Sequence, residues 1–142
     1  AIDRLRTLGY RGVNATVPLK AEAYAAARFR DDAAERAAAV NTLSLLDDRG
    51  WLTDTRGFLA LVEGAADPIL LLGAGGTARA AATALGGHAW AVWNRSPEKA
   101  IALADRFGGR AVERPDPTGF GAVVNLTSAS LSDDLPPLEW DA

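Results

Sequence analysis

The chain has no cysteine, no methionine and a single histidine among its 142 residues. Without cysteine there is no disulfide scaffold, no thiolate metal site and no cysteine nucleophile. That composition fits a cytoplasmic protein without demanding one. The lone histidine, His88, has no partner at metal-ligand spacing, so no metal is expected. No apolar run approaches the roughly 20 residues of a membrane span. No signal peptide opens the chain. A basic excess is missing too: 18 acidic residues face 15 basic ones, for a net charge of -3. This balance argues against binding to duplex nucleic acid. The lack of methionine extends to position 1, and the chain is expected to be incomplete. Residues 1–8 read as the last turns of a helix stopped by Gly9, and residues 138–142 bring no closing element.

What is present is enough for a packed core, since 49% of the residues are hydrophobic and 23% charged. Alanine is abundant, but no internal repeat or low-complexity tract stands out. Residues 11–17 (RGVNATV) have strand character, with Val13, Ala15 and Val17 on one face. Pro18 suits a first helical position, and residues 19–30 read as an alanine-rich helix. Asp31 or Asp32 can cap a second helix through Ala39. Residues 40–46 read as a strand, residues 47–50 as a turn, and residues 51–53 as a short returning strand. Asp54 or Thr55 starts a helix that runs to about Glu63 and stops at Gly64.

Beyond Pro68 the pattern changes. Ile69-Leu70-Leu71-Leu72 is a continuous apolar run, the mark of a strand buried on both faces. A glycine turn follows, then a helix over residues 77–85 and a strand over 88–93. Ser96 caps a further helix with Pro97 at its first position, ending at Gly108-Gly109. Residues 110–112 and 122–125 read as two more strands. The alternation predicts an α/β fold: a partial N-terminal α/β domain over residues 1–55, then a Rossmann-like doubly wound domain over residues 56–142. The stretches 114–119 and 132–137 read as loops. Trp51, Trp90 and Trp93 read as packing or rim residues.

Gly73-Ala74-Gly75-Gly76-Thr77-Ala78 matches the dinucleotide-binding glycine pattern between a strand and a helix. Gly73 makes the turn, Gly75 lets backbone approach a pyrophosphate, and Ala78 allows close helix packing. The helix start offers free N–H groups and the positive end of its dipole, so Gly76 and Thr77 join the candidate phosphate site. A plain strand-to-helix turn that uses glycine for sterics has the same pattern. At the end of the next strand, where an NAD site would carry an acid, stand Asn94-Arg95-Ser96, with Lys99 one turn on. Arg95 can grip a 2′-phosphate with its fork of donors, and Lys99 adds charge. The expected cofactor is therefore NADP(H). The alternative is that Arg95 and Lys99 are solvated helix-start residues.

Asn14-Ala15-Thr16-Val17-Pro18-Leu19-Lys20 gathers polar groups at a strand-to-helix junction. On a strand, Asn14 and Thr16 would point the same way. Lys20 falls in the first helical turn, where a cation opposes the dipole. That is poor for stability and useful for a lysine that exchanges a proton. Any one lysine is more commonly a solvated surface residue.

Taken together, these pieces resemble the shikimate dehydrogenase family, in the family's order. They are Gly12-Val13-Asn14-Ala15-Thr16-Val17-Pro18-Leu19-Lys20, Ala39-Val40-Asn41-Thr42-Leu43, Thr53-Asp54 with Gly57-Phe58, Gly73 to Arg79 through the glycine turn, Asn94-Arg95-Ser96, and Val124-Asn125-Leu126-Thr127. The likeness runs from residue 12 to about residue 131. It implies NADP-dependent, reversible reduction of 3-dehydroshikimate to shikimate, a step on the route to aromatic amino acids. By that likeness Lys20 and Asp54 form the catalytic pair, Thr16 and Asn41 are substrate-hydroxyl ligands, Asn14 supports the loop, and Thr127 lies near the nicotinamide. Asp54 would also serve as a helix N-cap. The partner implied is a small molecule, with neither nucleic acid nor membrane; monomer and homodimer both stay open. Two other readings stand beside it: a quinate/shikimate-type or other NADP oxidoreductase on the same frame, and a non-catalytic dinucleotide-binding module.

Overall fold

A computed structural model describes residues 2–127 and Leu138. Residues 128–137, which hold the end of the family likeness and the loop expected at 132–137, lie outside the described residues. The first half runs α1 (Ile2–Thr7), β1 (Gly12–Asn14), α2 (Lys20–Ala26), β2 (Phe29–Arg30), α3 (Asp32–Ala37), β3 (Thr42–Ser44) and β4 (Arg49–Trp51). Helix α4 (Asp54–Val62) leads into the second half: β5 (Ile69–Leu72), α5 (Gly76–Ala84), β6 (Trp90–Trp93), α6 (Pro97–Phe107), β7 (Arg110–Ala111) and β8 (Ala122–Asn125).

The first sheet has the order β1-β3-β4-β2. The expected hairpin is there, with β3 and β4 antiparallel. Strand β2 departs from the expectation. The alanine-rich helix stops at Ala26, and Phe29 and Arg30 pair in parallel with Arg49 and Gly50. Helix propensity is a weak preference, and here a sheet-edge pairing overrides it. At its other end this helix begins at Lys20, one residue after the expected start, and Pro18 lies in the preceding turn. The strand expected at 11–17 spans only Gly12–Asn14, and Val17 is exposed, not buried. Asp31 does cap α3, its carboxylate accepting from the Ala34 N–H at 2.8 Å. Small residues close this half: Ala23, Ala27, Ala34, Ala37 and Ala39 pack with Val40, Leu43 and Leu52.

The second sheet is wholly parallel, in the order β7-β6-β5-β8. Its first strand therefore sits between the second and the fourth, the arrangement that opens a crevice at the carboxyl ends of the strands. All four residues of β5 are buried. Ile69 and Leu71 face α4, α5 and α6, while Leu70 and Leu72 face the opposite side with Ala91. Both α5 and α6 pack on the Ile69 side, so among the described residues the opposite face is covered by loop and strand side chains such as Val112 and Phe120. Gly108, at φ 80°, ends α6 as expected. Trp90 is a core residue, stacked so closely on Gly109 that a Cβ there would lie 2.4 Å from its ring.

The halves touch directly. Ala80 of α5 belongs to the alanine core of the first half. Arg106 of α6 donates to the Arg36 carbonyl at 2.7 Å. No helix among the described residues is long and apolar enough to cross a membrane.

Candidate functional site

Three elements bring the lysine and the carboxylate together. Lys20 is the first residue of α2, Asp54 the first residue of α4, and Thr77 the second residue of α5. Lys20 is only 7% exposed, and a lysine that buried needs partners. Its Nζ donates to Asp54 Oδ2 at 2.5 Å and to Thr77 Oγ1 at 3.2 Å. An ammonium has three donors, so this geometry leaves one for another acceptor.

Asp54 is held from its other side. Asn41 Nδ2 donates to Asp54 Oδ1 at 2.8 Å and to Thr53 Oγ1 at 2.9 Å. Asn41 Oδ1 accepts from the Thr53 N–H at 2.8 Å. The short strand β3 starts right after Asn41 and its hairpin partner β4 ends two residues before Thr53, so the hairpin brings the amide and the helix start together. Asp54 is not the N-cap of α4; Thr53 occupies that position, without a side-chain capping bond. The carboxylate is thereby committed to Lys20 and Asn41. Two members of this cluster are not expected from sequence: Thr53 as a partner of Asn41, and Thr77 as a partner of the lysine. The glycine pattern puts Thr77 only at the phosphate site, and its second contact bridges 57 positions along the chain.

Asn14 and Thr16 stand outside this hydrogen-bonded cluster, and both are exposed. Asn14 ends β1 and lines an open depression with Thr42, Ser44 and Trp51. Thr16 lies beyond the strand, in the turn where its carbonyl accepts from the Leu19 N–H, so strand alternation does not set its direction.

The glycine turn lies at the carboxyl ends of the parallel strands. Leu72 is level with Trp93 on one side and Asn125 on the other. Gly73 has φ +109°, and a Cβ there would meet the Leu126 backbone at 3.2 Å and Thr127 Cγ2 at 3.1 Å. Only glycine suits that conformation and that approach. Gly75 is the N-cap of α5 and supplies no side-chain cap, while a Cβ on it would meet nothing within 4 Å. The Cβ side of Gly75 thus faces open space, and the N-cap brings no side chain to the first N–H groups of the helix. Asn94 braces the turn from the next strand. Its Oδ1 accepts from the Ala74 N–H at 3.1 Å, and its Nδ2 donates to the Ser96 carbonyl at 3.0 Å. Ser96 is the N-cap of α6 by position, but its side chain makes no capping bond, contrary to the expected cap. Arg95 and Lys99 are exposed at this end of the sheet. Thr127 follows β8, its N–H and hydroxyl both donating to Asn125 Oδ1, at 3.0 and 2.7 Å.

Elsewhere, Asp67 ties the approach to β5 to the approach to β6. Its carboxylate lies 2.9 Å from His88 Nδ1 and accepts from the Ala89 N–H at 3.1 Å. The His88 hydrogen bond, then the Ala89 N–H, hold this carboxyl below the usual carboxylate range. Tyr24 donates to Glu35 at 2.8 Å, and that bond holds its phenol above the usual range. Among the described residues no group of three or more His, Cys, Asp or Glu side chains could hold a metal ion.

This arrangement is that of a two-part α/β frame with a dinucleotide-type glycine turn facing a paired lysine and carboxylate. Comparison with known proteins narrows it. Residues 1–43 match the family described as shikimate dehydrogenase substrate binding domain. The shikimate dehydrogenase (NADP(+)) of Thermus thermophilus is 42% identical over 133 residues, covering 87% of this chain and 50% of that protein. That of Acidiphilium cryptum is 42% identical over 156 residues, covering 99% of this chain and 55% of the relative. Among solved structures, shikimate dehydrogenase from Aquifex aeolicus superimposes with a TM-score of 0.83 at 35% identity, over 94% of this chain and 55% of that one. Shikimate 5-dehydrogenase from Thermus thermophilus, solved in complex with NADP(H) and shikimate, gives 0.73 at 39% identity, over 89% of this chain and 52% of that one. The chain is thus similar to shikimate dehydrogenases over most of its own length, and it spans about half the length of the curated relatives it matches.

Proposed function

We propose that this protein catalyses the NADP-dependent, reversible reduction of 3-dehydroshikimate to shikimate, with Lys20 and Asp54 as the catalytic pair. The observation that carries the reading is the part-buried Lys20–Asp54 contact at 2.5 Å, beside the start of the helix that follows the glycine turn. Residues 1–55 are assigned to substrate binding and residues 56–142 to NADP binding, with a cytoplasmic setting.

The residues of the glycine turn fit the cofactor: Gly73 makes the tight turn, Gly75 leaves room for a pyrophosphate at the start of α5, and Arg95, Ser96 and Lys99 supply donors and charge for a 2′-phosphate. When bound, NADPH supplies the hydride. The chain's own residues do the rest. As the ketone oxygen gains negative charge, the Lys20 ammonium stabilises it and donates the proton. Asp54 orients that ammonium through Oδ2, and Asn41 fixes the carboxylate through Oδ1. In the reverse direction the same amine takes the proton from the hydroxyl. Thr16 and Asn41 are the proposed contacts to substrate hydroxyls, Asn14 supports the substrate-binding loop, and Thr127 borders the nicotinamide end.

A steady-state assay with shikimate and NADP⁺, then NAD⁺, tests this directly. Turnover with NADP⁺ is expected, and Lys20→Ala should lower kcat by about a hundredfold or more while NADP⁺ affinity stays within about twofold. A Lys20→Ala variant as active as the parent would overturn the assignment. Absence of turnover in the parent would return the protein to the nucleotide-binding-module reading.

A further inference from the structure

We propose that Thr77 is a positioning residue for Lys20, in addition to its place at the phosphate site. The inference rests on the dehydrogenase reading and deepens it.

The geometry is specific. Lys20 Nζ reaches Thr77 Oγ1 at 3.2 Å, on the side of the amine not taken by Asp54. The lysine stem also lies against the same helix start: a Cβ on Gly76 would stand 3.5 Å from Lys20 Cδ. Two helices from different halves are clamped here by one apolar cluster. Ala23 and Ala27 follow Lys20 along its helix and chain, Ala80 lies one turn after Thr77, and all three share the alanine core. The polar contact therefore sits at the rim of a packed seam, where neither helix start can drift independently.

A threonine hydroxyl has one donor and two acceptor lone pairs. It can accept from the lysine ammonium and still donate to a phosphate oxygen at the start of α5. Thr77 thus links the phosphate site to the proton-transferring amine through one atom. With Asp54 it fixes two of the three ammonium donors and leaves the third for the substrate oxygen. Without the hydroxyl, the ammonium keeps one anchor and turns about its stem.

The test compares Thr77→Val, close in size but without a hydroxyl, with Thr77→Ser, which keeps it. Thr77→Val should lower kcat about tenfold, as expected for losing a hydrogen bond to a charged group. Its NADP⁺ dissociation constant should rise by about tenfold at most, because the backbone N–H groups of the helix start remain, so kcat is read at saturating NADP⁺. Thr77→Ser should restore kcat. This chain has two lysines, Lys20 and Lys99, and isotope-labelled lysine gives an ammonium resonance for each. Thr77→Val should move the Lys20 resonance and leave that of exposed Lys99 in place.

Thr77→Val with weakened NADP⁺ binding, unchanged kcat at saturation and an unmoved Lys20 resonance would overturn the proposal and leave Thr77 as a phosphate contact alone. A parent that turns over while Thr77→Val matches it removes the positioning role but not the dehydrogenase reading. A parent without turnover removes both.

Discussion

In the first sheet no strand is longer than three residues, and parallel and antiparallel pairs are mixed. In the second, four strands run parallel and every residue of Ile69–Leu72 is buried. The first half closes mainly on alanines around Val40, Leu43, Leu45 and Leu52; in the second, the alanines of α5 and α6 pack onto a sheet of leucine, isoleucine, valine and tryptophan. Small side chains let helices approach closely, and that suits a half whose task is to set Lys20, Asn41 and Asp54 within hydrogen-bond reach. Large ones fill both sides of a sheet and hold its carboxyl edge as a platform for the glycine turn. One half is shaped around polar contacts, and the other derives its rigidity from apolar volume.

The contrast can be broken by substitution. Leu71→Ala should cost about 2–5 kcal/mol of stability, as expected for a large side chain deleted from a closed core. Val13→Ala, on a half-buried strand of the first sheet, should cost about 1 kcal/mol or less. Urea unfolding of both variants checks this; equal losses would show that the two sheets are packed alike. A functional contrast comes next. Arg95→Ala should raise the KM for NADPH about tenfold and leave that for NADH nearly unchanged, because a charge-assisted grip on a 2′-phosphate is lost only where that phosphate exists. Equal effects on the two cofactors would remove Arg95 from that role.

Helix starts provide a smaller test. Asp31→Ala removes a capping bond to Ala34 and should cost about 1 kcal/mol. Ser96→Ala, at the start of α6, removes no side-chain capping bond and should cost only about a few tenths. A larger loss at Ser96 would reverse the order. The smallest effect concerns acid. Asp67 has a folded-state carboxyl held below its unfolded value, so its contribution is present above the unfolded pKa of about 4 and is lost as pH falls through the folded value. Asp67→Asn should therefore narrow the drop in urea midpoint between mildly acidic and strongly acidic buffer. An unchanged drop would show that its His88 and Ala89 contacts do not stabilise the fold.

Legibility in the sequence follows the same divide. Strand β5 with its turn and α5 can be read directly, because a run of four apolar residues and three glycines leaves few alternatives. The first half is harder. Phe29–Arg30 reads as the end of an alanine-rich helix because its pairing partner, Arg49–Gly50, lies 20 residues away. The pairing of the lysine with the aspartate is legible only through the family resemblance; nothing in local periodicity joins positions 34 apart. Thr53 and Thr77 escape because each acts on a residue of another element, and side-chain hydrogen bonds of that kind leave no periodic trace.

Helix α4 has one end in each half. Its first residue is Asp54, among the polar groups of the first half, while Phe58 and Val62 are buried against the second sheet. Over about 13 Å it ties the carboxylate to the foundation of the nucleotide platform. The seam between the halves is therefore no clean place to cut and join. A chimera that borrows the glycine-turn half from a relative must bring this helix whole, aspartate included, or its new platform will dictate the aim of an acid it was never fitted to.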